Sequence, residues 1–333
     1  MTSPFNLGIV GVGAIGAVHV ETAAALPEIR LTAVCDTRAG VAEEAARRTG
    51  ARAYTRYQDL AYDERLDGVV ICTPPSSHQM LTQFYLERGI DVLCEKPLAT
   101  EGTAAREMYA CAARNGRLLM LASKFRYVEG VMAARRLLHE GVLGSIRHAE
   151  IVFVSNVDMS SRWNADPLQS GGGVVIDNGT HAVDLCRYLF GPVNSVAAVA
   201  YARGKALPVE DSAYLYLGVA NGIGVTVDIS WSLDRKFEHY IRLYGEHARL
   251  FVGWQETTLS RGSREPTVIA PAYSRPQAFL ALQRDFVLTA TGRGRPRTDV
   301  SDALASVDVV DAAYASIREG GRTAVEAERA IAV

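Results

Sequence analysis

A short apolar run over residues 5–10 ends abruptly in Gly11-Val12-Gly13-Ala14-Ile15-Gly16, and a helical pattern follows as far as Leu26 before Pro27 stops it. Few arrangements accept three glycines at that spacing between a strand and a helix. The glycines allow, in turn, a tight bend, close approach of backbone to a pyrophosphate, and close packing of helix on strand. The helix that opens with Ala14 and Ile15 offers N–H groups without intrahelical partners, and the positive end of its dipole, to the phosphates. A second apolar strand, LTAVCD, ends in Asp36, 20 residues beyond Gly16. A carboxylate there accepts hydrogen bonds from the ribose hydroxyls of adenosine and repels a 2′-phosphate, which favours NAD over NADP. Arg38 keeps NADP open as the alternative, because a guanidinium pairs well with a phosphate. Asp36 also suits the N-cap of a helix over 39–49, which is compatible with a ligand role.

The alternation continues. Apolar strand segments at 51–54, 68–72, 90–94 and 118–122 are separated by helical patterns at 56–62, 77–88 and 100–115. Strands that are apolar throughout, with helices between them, predict a parallel sheet covered on both faces. Ligands bind such sheets beyond the carboxyl ends of the strands. Two of those ends stand out: Thr73-Pro74-Pro75-Ser76-Ser77-His78, and Glu95-Lys96-Pro97. Pro74 and Pro75 make a stiff, donor-poor wall for a flat nicotinamide ring, and Pro97 marks a constrained turn with a cis bond as one option. Lys96 stands where a lysine can orient a substrate hydroxyl; the alternative is a surface lysine paired with Glu95 or Glu101. His78 reads as a helix-start residue beside the cofactor rather than as a catalyst.

The second half changes character. A helix is expected over 124–141, preceded by Lys124 and Arg126, which either face the crevice or the surface. Strand-like runs follow at 146–155, 193–202, 211–219, 223–231, 238–245 and 248–253, several alternating polar with apolar. Period-2 alternation predicts a sheet with one packed face and one available face. Such a face commonly pairs with a copy of itself, so a homodimer or homotetramer through the open sheet is expected. Residues 262–277 read as a mobile loop. In SSRWNADPLQS, Trp163 suits a pocket wall stacked on a sugar's apolar face, against the plain alternative of a core or interface tryptophan.

The stretch GGGVVIDNGTHAVD, residues 171–184, brings three glycines into an amphipathic segment carrying Asp177, His181 and Asp184. On a helix Asp177 and His181 share a face. That pair suits proton transfer, metal binding, or mutual satisfaction in a core, and Asp184 either orients the imidazole or serves packing. No further His, Cys or carboxylate cluster completes a coordination shell, so no metal is expected.

Bulk properties exclude several classes. A chain of 333 residues is long for one core, and a net charge of −2 gives no reason to expect nucleic acid or an anionic membrane. No apolar run approaches the roughly 20 residues that span a bilayer. The start, MTSPFN, carries no basic segment before the first apolar run, so no export signal is expected. Five scattered cysteines without a CxxC pair fit reduced core thiols in a cytoplasmic protein.

Taken together, GVGAIG, the Thr73-Pro74-Pro75 turn, Glu95-Lys96-Pro97 and GGG-x3-D-x3-H-x2-D resemble the Gfo/Idh/MocA oxidoreductases, the glucose–fructose oxidoreductase and inositol dehydrogenase family. The closing DALASVDVVDAAYASIREGG looks like that family's C-terminal helix. The resemblance implies an α/β chain: a Rossmann dinucleotide-binding domain over 1–123, then a substrate-binding and oligomerisation α/β domain over 124–333 with a large, mostly antiparallel open sheet. It further implies that Lys96, Asp177 and His181 surround the reacting carbon of a sugar or cyclitol. The family often carries Trp-Arg at 163–164; Asn164 departs from that, and Arg162 is the candidate to supply the missing charge.

With a dinucleotide site and a strand-end lysine in the same chain, the catalytic reading of Asp177 and His181 gains weight. The expected activity is hydride transfer between nicotinamide and a secondary alcohol or ketone of a sugar, aminosugar, nucleotide sugar or cyclitol. His181 is the expected proton acceptor, Lys96 polarises the oxygen, and Asp177 binds a neighbouring hydroxyl or tunes Lys96. Lys124, Arg126, Arg162 and Trp163 complete the expected substrate contacts. The alternatives are an NADPH-dependent ketosugar reductase and, in a different class, a non-catalytic dinucleotide-binding regulator.

Overall fold

The computed structural model describes residues 3–201 and 206–325. The first eleven elements alternate: β1 (Phe5–Val10), α1 (Ala14–Ala25), β2 (Ile29–Cys35), α2 (Ala39–Thr49), β3 (Arg52–Tyr54), α3 (Tyr57–Asp63), β4 (Gly68–Ile71), α4 (His78–Leu86), β5 (Asp91–Cys94), α5 (Gly102–Asn115) and β6 (Leu119–Leu121). Their strands form a parallel sheet in the order β3-β2-β1-β4-β5-β6. The strand order reverses between β1 and β4, so the ends Val10 and Ile71 open a crevice where the chain leaves the sheet in opposite directions. Central strands β4 and β5 are buried along their whole length, which accounts for their unbroken apolar sequence.

The expected helix over 124–141 divides. Lys124–Tyr127 forms a single 3-10 turn, Val128 is extended, and α6 (Glu129–His139) begins after it. Then come β7 (Ile146–Val154), α7 (Pro167–Ser170), α8 (Val174–Phe190), β8 (Val193–Ala200), β9 (Ser212–Val219), β10 (Gly224–Ser230), β11 (His239–Gly245), β12 (Arg249–Gly253), β13 (Thr257–Ser260), β14 (Thr267–Ala270), α9 (Arg275–Ala290), α10 (Val300–Glu319) and β15 (Arg322–Ala324). Among the described residues these strands build a second sheet in the order β14-β13-β12-β11-β7-β10-β9-β8-β15. Its pairs are antiparallel except β10 against β7. The stretch 262–277 is not one loose loop: Thr267–Ala270 pairs with β13, and Ser274 caps α9 by accepting from Gln277 N. Ala202, the expected end of the strand 193–202, lies outside the described residues, as do 1–2 and 326–333.

One face of the second sheet is packed. Leu215, Leu217, Val225, Val227, Ile229, Ile241 and Leu243 are buried there against α8 and its surroundings, whereas Tyr214 and Tyr216 on the other face are about half exposed. The C-terminal helices tie the two sheets together. Helix α9 packs on α1, with Phe286 edge-on to Phe5 of β1, and α10 packs on both α5 and α8. No helix of the described residues is long and apolar enough to cross a membrane. All five cysteines are buried free thiols.

Candidate active site

The glycine turn meets the demands of a dinucleotide. A Cβ on Gly16 would lie 1.9 Å from the Gly11 carbonyl oxygen, so only glycine lets α1 sit this close to the turn. Gly13, the residue before α1, is different: a Cβ there would find no atom nearer than Arg38 Nη2 at 3.9 Å. That open cradle, facing the free N–H groups of Ala14 and Ile15, fits a pyrophosphate. It belongs to a cavity of about 550 Å³ lined by Gly11, Gly13, Asp36, Arg38, Thr73 and Pro74, among others.

Asp36 ends β2 beside this cavity and accepts hydrogen bonds from Val12 N at 3.0 Å and Arg38 N at 3.0 Å. Arg38 also grips it with Nε at 3.0 Å and Nη2 at 3.1 Å. Burial works to raise the Asp36 carboxyl, but the Arg38 and Val12 hydrogen bonds prevail and hold it below the usual range. The arginine expected to favour a 2′-phosphate therefore has two of its donors engaged by the carboxylate that disfavours one.

His78 and Glu95 do not line the cavity. The buried His78 ring bridges the two strand-end turns, with Nε2 2.8 Å from the Thr73 carbonyl and Nδ1 2.9 Å from the Pro97 carbonyl. Glu95 is buried against His19 Nε2 at 2.9 Å and accepts from Lys96 N at 3.0 Å. Burial alone would raise its carboxyl; the His19 hydrogen bond and charge, then Lys96 and Lys124, hold it low. Both residues brace the turns that present Thr73, Pro74 and Lys96. The Lys96-Pro97 peptide is cis.

Lys96 reaches across to α8, where Nζ lies 2.5 Å from Asp177 Oδ1 and 3.3 Å from the Asp177 carbonyl oxygen. Neither Glu95 nor Glu101 takes its ammonium. His181 follows Asp177 one helical turn later, edge-on to Phe125 at 5.0 Å and near Phe153 at 6.2 Å. No described residue hydrogen-bonds its imidazole. Burial first, then the charges of Lys96 and Lys124, push its pKa well below the ordinary value. The ring is a neutral base at neutral pH.

What fixes α8 is a feature the sequence did not announce. The buried Glu210, just before β9, accepts from Gly173 N at 3.0 Å and Val175 N at 3.1 Å, while Tyr314 of α10 donates to Glu210 Oε1 at 2.7 Å. A Cβ on Gly173 would lie 1.9 Å from the Glu210 carbonyl oxygen, which explains a glycine at this closest approach.

Two expectations need correction. Arg126 does not face the crevice: it is buried, with Nε 2.9 Å from Asp184 Oδ1 and Nη1 2.6 Å from Asp302 Oδ2. Asp184 consequently holds Arg126 and does not orient His181. Trp163 is a pocket wall: it lines the same cavity as Gly13 and Asp36. Arg162 is exposed and has no ion pair among the described residues. Lys124, by contrast, does lie with the site, its Nζ 5.1 Å from the Phe125 ring centre. The aromatic wall beside it, Phe125, Phe153, Tyr240, Trp254 and Tyr273, is assembled from separate strands and loops and has no motif. No group of three or more metal-binding side chains occurs among the described residues.

Known proteins resemble this chain along most of its length. The chain is 27% identical to D-apiose dehydrogenase of Paraburkholderia graminis, over 95% of this chain and 88% of the relative. It is 27% identical to inositol 2-dehydrogenase 2 of Saccharopolyspora erythraea, over 96% of this chain and 95% of the relative. An oxidoreductase from Agrobacterium radiobacter, solved in complex with NAD+, L-tartaric acid and magnesium, shares the fold with a TM-score of 0.87 at 22% identity, covering 97% of this chain and 99% of that one. Residues 5–123 match the profile of an oxidoreductase family with an NAD-binding Rossmann fold, and residues 131–251 match the GFO/IDH/MocA C-terminal domain. With a dinucleotide cradle at Gly13 and both halves of the pattern in one chain, this protein belongs to the Gfo/Idh/MocA family of NAD-binding oxidoreductases.

Proposed function

We propose that the protein is an NAD-dependent dehydrogenase that oxidises a secondary alcohol of a sugar or cyclitol, with residues 1–123 holding the dinucleotide and 124–333 the substrate. The observation that carries this reading is the Lys96–Asp177 pair, which joins the end of a dinucleotide-domain strand to helix α8 beside an imidazole with no hydrogen-bond partner among the described residues. Oxidation of an alcohol removes a hydride from carbon and a proton from oxygen, and bound NAD accepts the hydride. Lys96 donates a hydrogen bond to the substrate oxygen and stabilises negative charge there as the proton leaves. Asp177 fixes the ammonium and accepts from a neighbouring hydroxyl. His181, neutral and unengaged, takes the proton.

Names among the relatives support the substrate class, since the two quoted above are dehydrogenases of apiose and inositol. The engaged Arg38 speaks against a reductase built for NADPH, and the convergence of Lys96, Asp177 and His181 speaks against a binding protein without turnover. Incubation with NAD and a panel including D-apiose and myo-inositol should produce reduced-nicotinamide absorbance. On the responding substrate, Lys96→Ala and His181→Ala should each lower turnover about 10²-fold or more, the usual weight of acid–base groups, while NAD still binds. Undiminished turnover in both variants contradicts the assignment.

We further read the open face of the second sheet as the contact between copies of the chain. Tyr214 and Tyr216 stand there with Val199, at 47%, 50% and 56% exposure, an apolar concentration unusual for a solvated face.

A further inference from the structure

Lys124 is the side chain the proposed mechanism leaves unused. Its ammonium stands on aromatic rings, 5.1 Å from the centre of Phe125 and 5.8 Å from that of Phe279. No described residue offers it a carboxylate, carbonyl or hydroxyl acceptor. Arg275, in the first turn of α9, approaches the same Phe279 ring at 6.0 Å and likewise has no acidic partner among the described residues.

The acids nearby are already committed. Asp177 is held by Lys96, and Glu95 lies beneath, accepting from His19 and from Lys96 N. The two acids near Lys124 thus face three cations, Lys96, Lys124 and Arg275. A partly buried ammonium on aromatic rings, with no acceptor among the described residues, has its donors open to an anionic ligand. Burial and the neighbouring cations bring Lys124 down to about 8, so at neutral pH it still carries its charge.

We propose that Lys124 and Arg275 form an anion-recognition subsite beside Lys96 and Asp177, and that the substrate is a polyol bearing a carboxylate, such as a uronate or aldonate. The inference rests on the dehydrogenase reading for the location of the reacting hydroxyl, but not for the charge of the ligand. The hydroxyl beside Lys96 and His181 is oxidised; the carboxylate takes no part in bond making and is held by Lys124 and Arg275 through charge-assisted hydrogen bonds.

The test uses matched pairs on the NAD-loaded protein: D-glucose with D-glucuronate, D-galactose with D-galacturonate, and xylitol with D-xylonate. Calorimetric binding and formation of reduced nicotinamide are measured separately for wild type, Lys124→Met, Lys124→Arg and Arg275→Met. The carboxylate of at least one pair should bind about 10-fold or more tighter than its neutral partner, the discrimination of one charge-assisted contact. Lys124→Met should bring that ratio near one, Arg275→Met should reduce it, and Lys124→Arg should retain most of it. Neutral members binding as well as their carboxylates in every pair, no carboxylate binding at all, or an unchanged ratio in Lys124→Met each overturn the proposal. Carboxylates that bind in the expected ratio without any reduced nicotinamide forming from them would support the subsite while counting against the dehydrogenase reading.

Discussion

At the scale of single residues, the site is governed by which charges are satisfied and which are left free. His181 is held in its neutral form by burial first and by the Lys96 and Lys124 charges second. A base whose pKa lies below 6.5 is already deprotonated at neutral pH, so the acid limb of kcat/KM for alcohol oxidation should fall below pH 6.5 and the rate should be flat through His181's titration above it. Removing one of the repelling cations, as in Lys124→Met, should move that limb upward; a limb centred above 6.5 in the wild type would contradict the assignment of His181. The cofactor end yields a second expectation. Asp36→Ala removes the ribose acceptor and frees the Arg38 fork, so the NAD:NADP preference should fall about 10-fold or more, given roughly 1.5–3 kcal/mol for hydrogen bonds to a charged group. Fluorescence titration with NADH and NADPH measures it, and an unchanged ratio would show that Asp36 does not set cofactor choice. Asp36, Lys96, Asp177 and His181 were legible because each sits in a short local motif. Arg126 was not, because its partners Asp184 and Asp302 lie 58 and 176 residues away and its isolated sequence context looks like any crevice arginine.

At the scale of elements, α8 is the part on which chemistry depends, and its position is set from outside. Gly173 lets the chain pass against the Glu210 backbone, and the Glu210 carboxylate with the Tyr314 hydroxyl takes up the N–H groups of Gly173, Val175 and Ile176 that the helix cannot satisfy itself. Tyr314→Phe deletes one hydroxyl that donates to Glu210 and faces Gly173 N and Ile176 N, both at 3.2 Å. The cost should be about 1–3 kcal/mol, the penalty for leaving buried groups unpaired, read as a lower urea midpoint at unchanged m-value. The same variant should lower kcat, because Asp177 and His181 ride on that helix, and a variant with wild-type stability would remove Glu210 and Tyr314 from this role. The sequence displayed α8 as an amphipathic segment after glycines, yet held no sign of its cap, since a Glu before one strand and a Tyr inside a distant helix have no spacing to read. Short edge strands were hidden for a related reason. Thr267–Ala270 is too brief for alternation to register, and the flanking glycine, proline and charged residues made it look like a loop.

At the scale of the whole molecule, two sheets of opposite character are joined by the returning helices, and buried charge ties those helices to the second sheet's own elements. Arg126, in the turn that leaves the first sheet, binds Asp184 on α8 and Asp302 on α10, and Arg187 joins Asp302 at 3.4 Å. Lys96 of the first domain meets Asp177 of the second directly, so a hydride transfer that depends on geometry depends on how the two sheets are held together. The remaining open surface is the outer face of the second sheet. Along β8, β9 and β10 it carries Val199, Tyr214 and Asp228 in one row and Ala197, Tyr216 and Thr226 in the next, with Tyr201 stacked on Tyr214 at 4.8 Å. Alternation in the sequence makes this face visible, because a solvent-facing row of aromatics is what period 2 leaves outside. The occupant proposed above is a second copy, since a twisted sheet bearing aromatic and small residues in register can bury that row against a two-fold copy of itself. Light scattering behind a sizing column should therefore report a dimer or tetramer for the wild type. Tyr214→Glu with Tyr216→Glu places like charges on both sides of such a contact and should shift the mass towards a monomer at micromolar concentration, while NAD binding at the distant Gly13 cradle persists. A monomeric wild type, or a charged variant that keeps its mass, would mean that this face serves something other than a second copy.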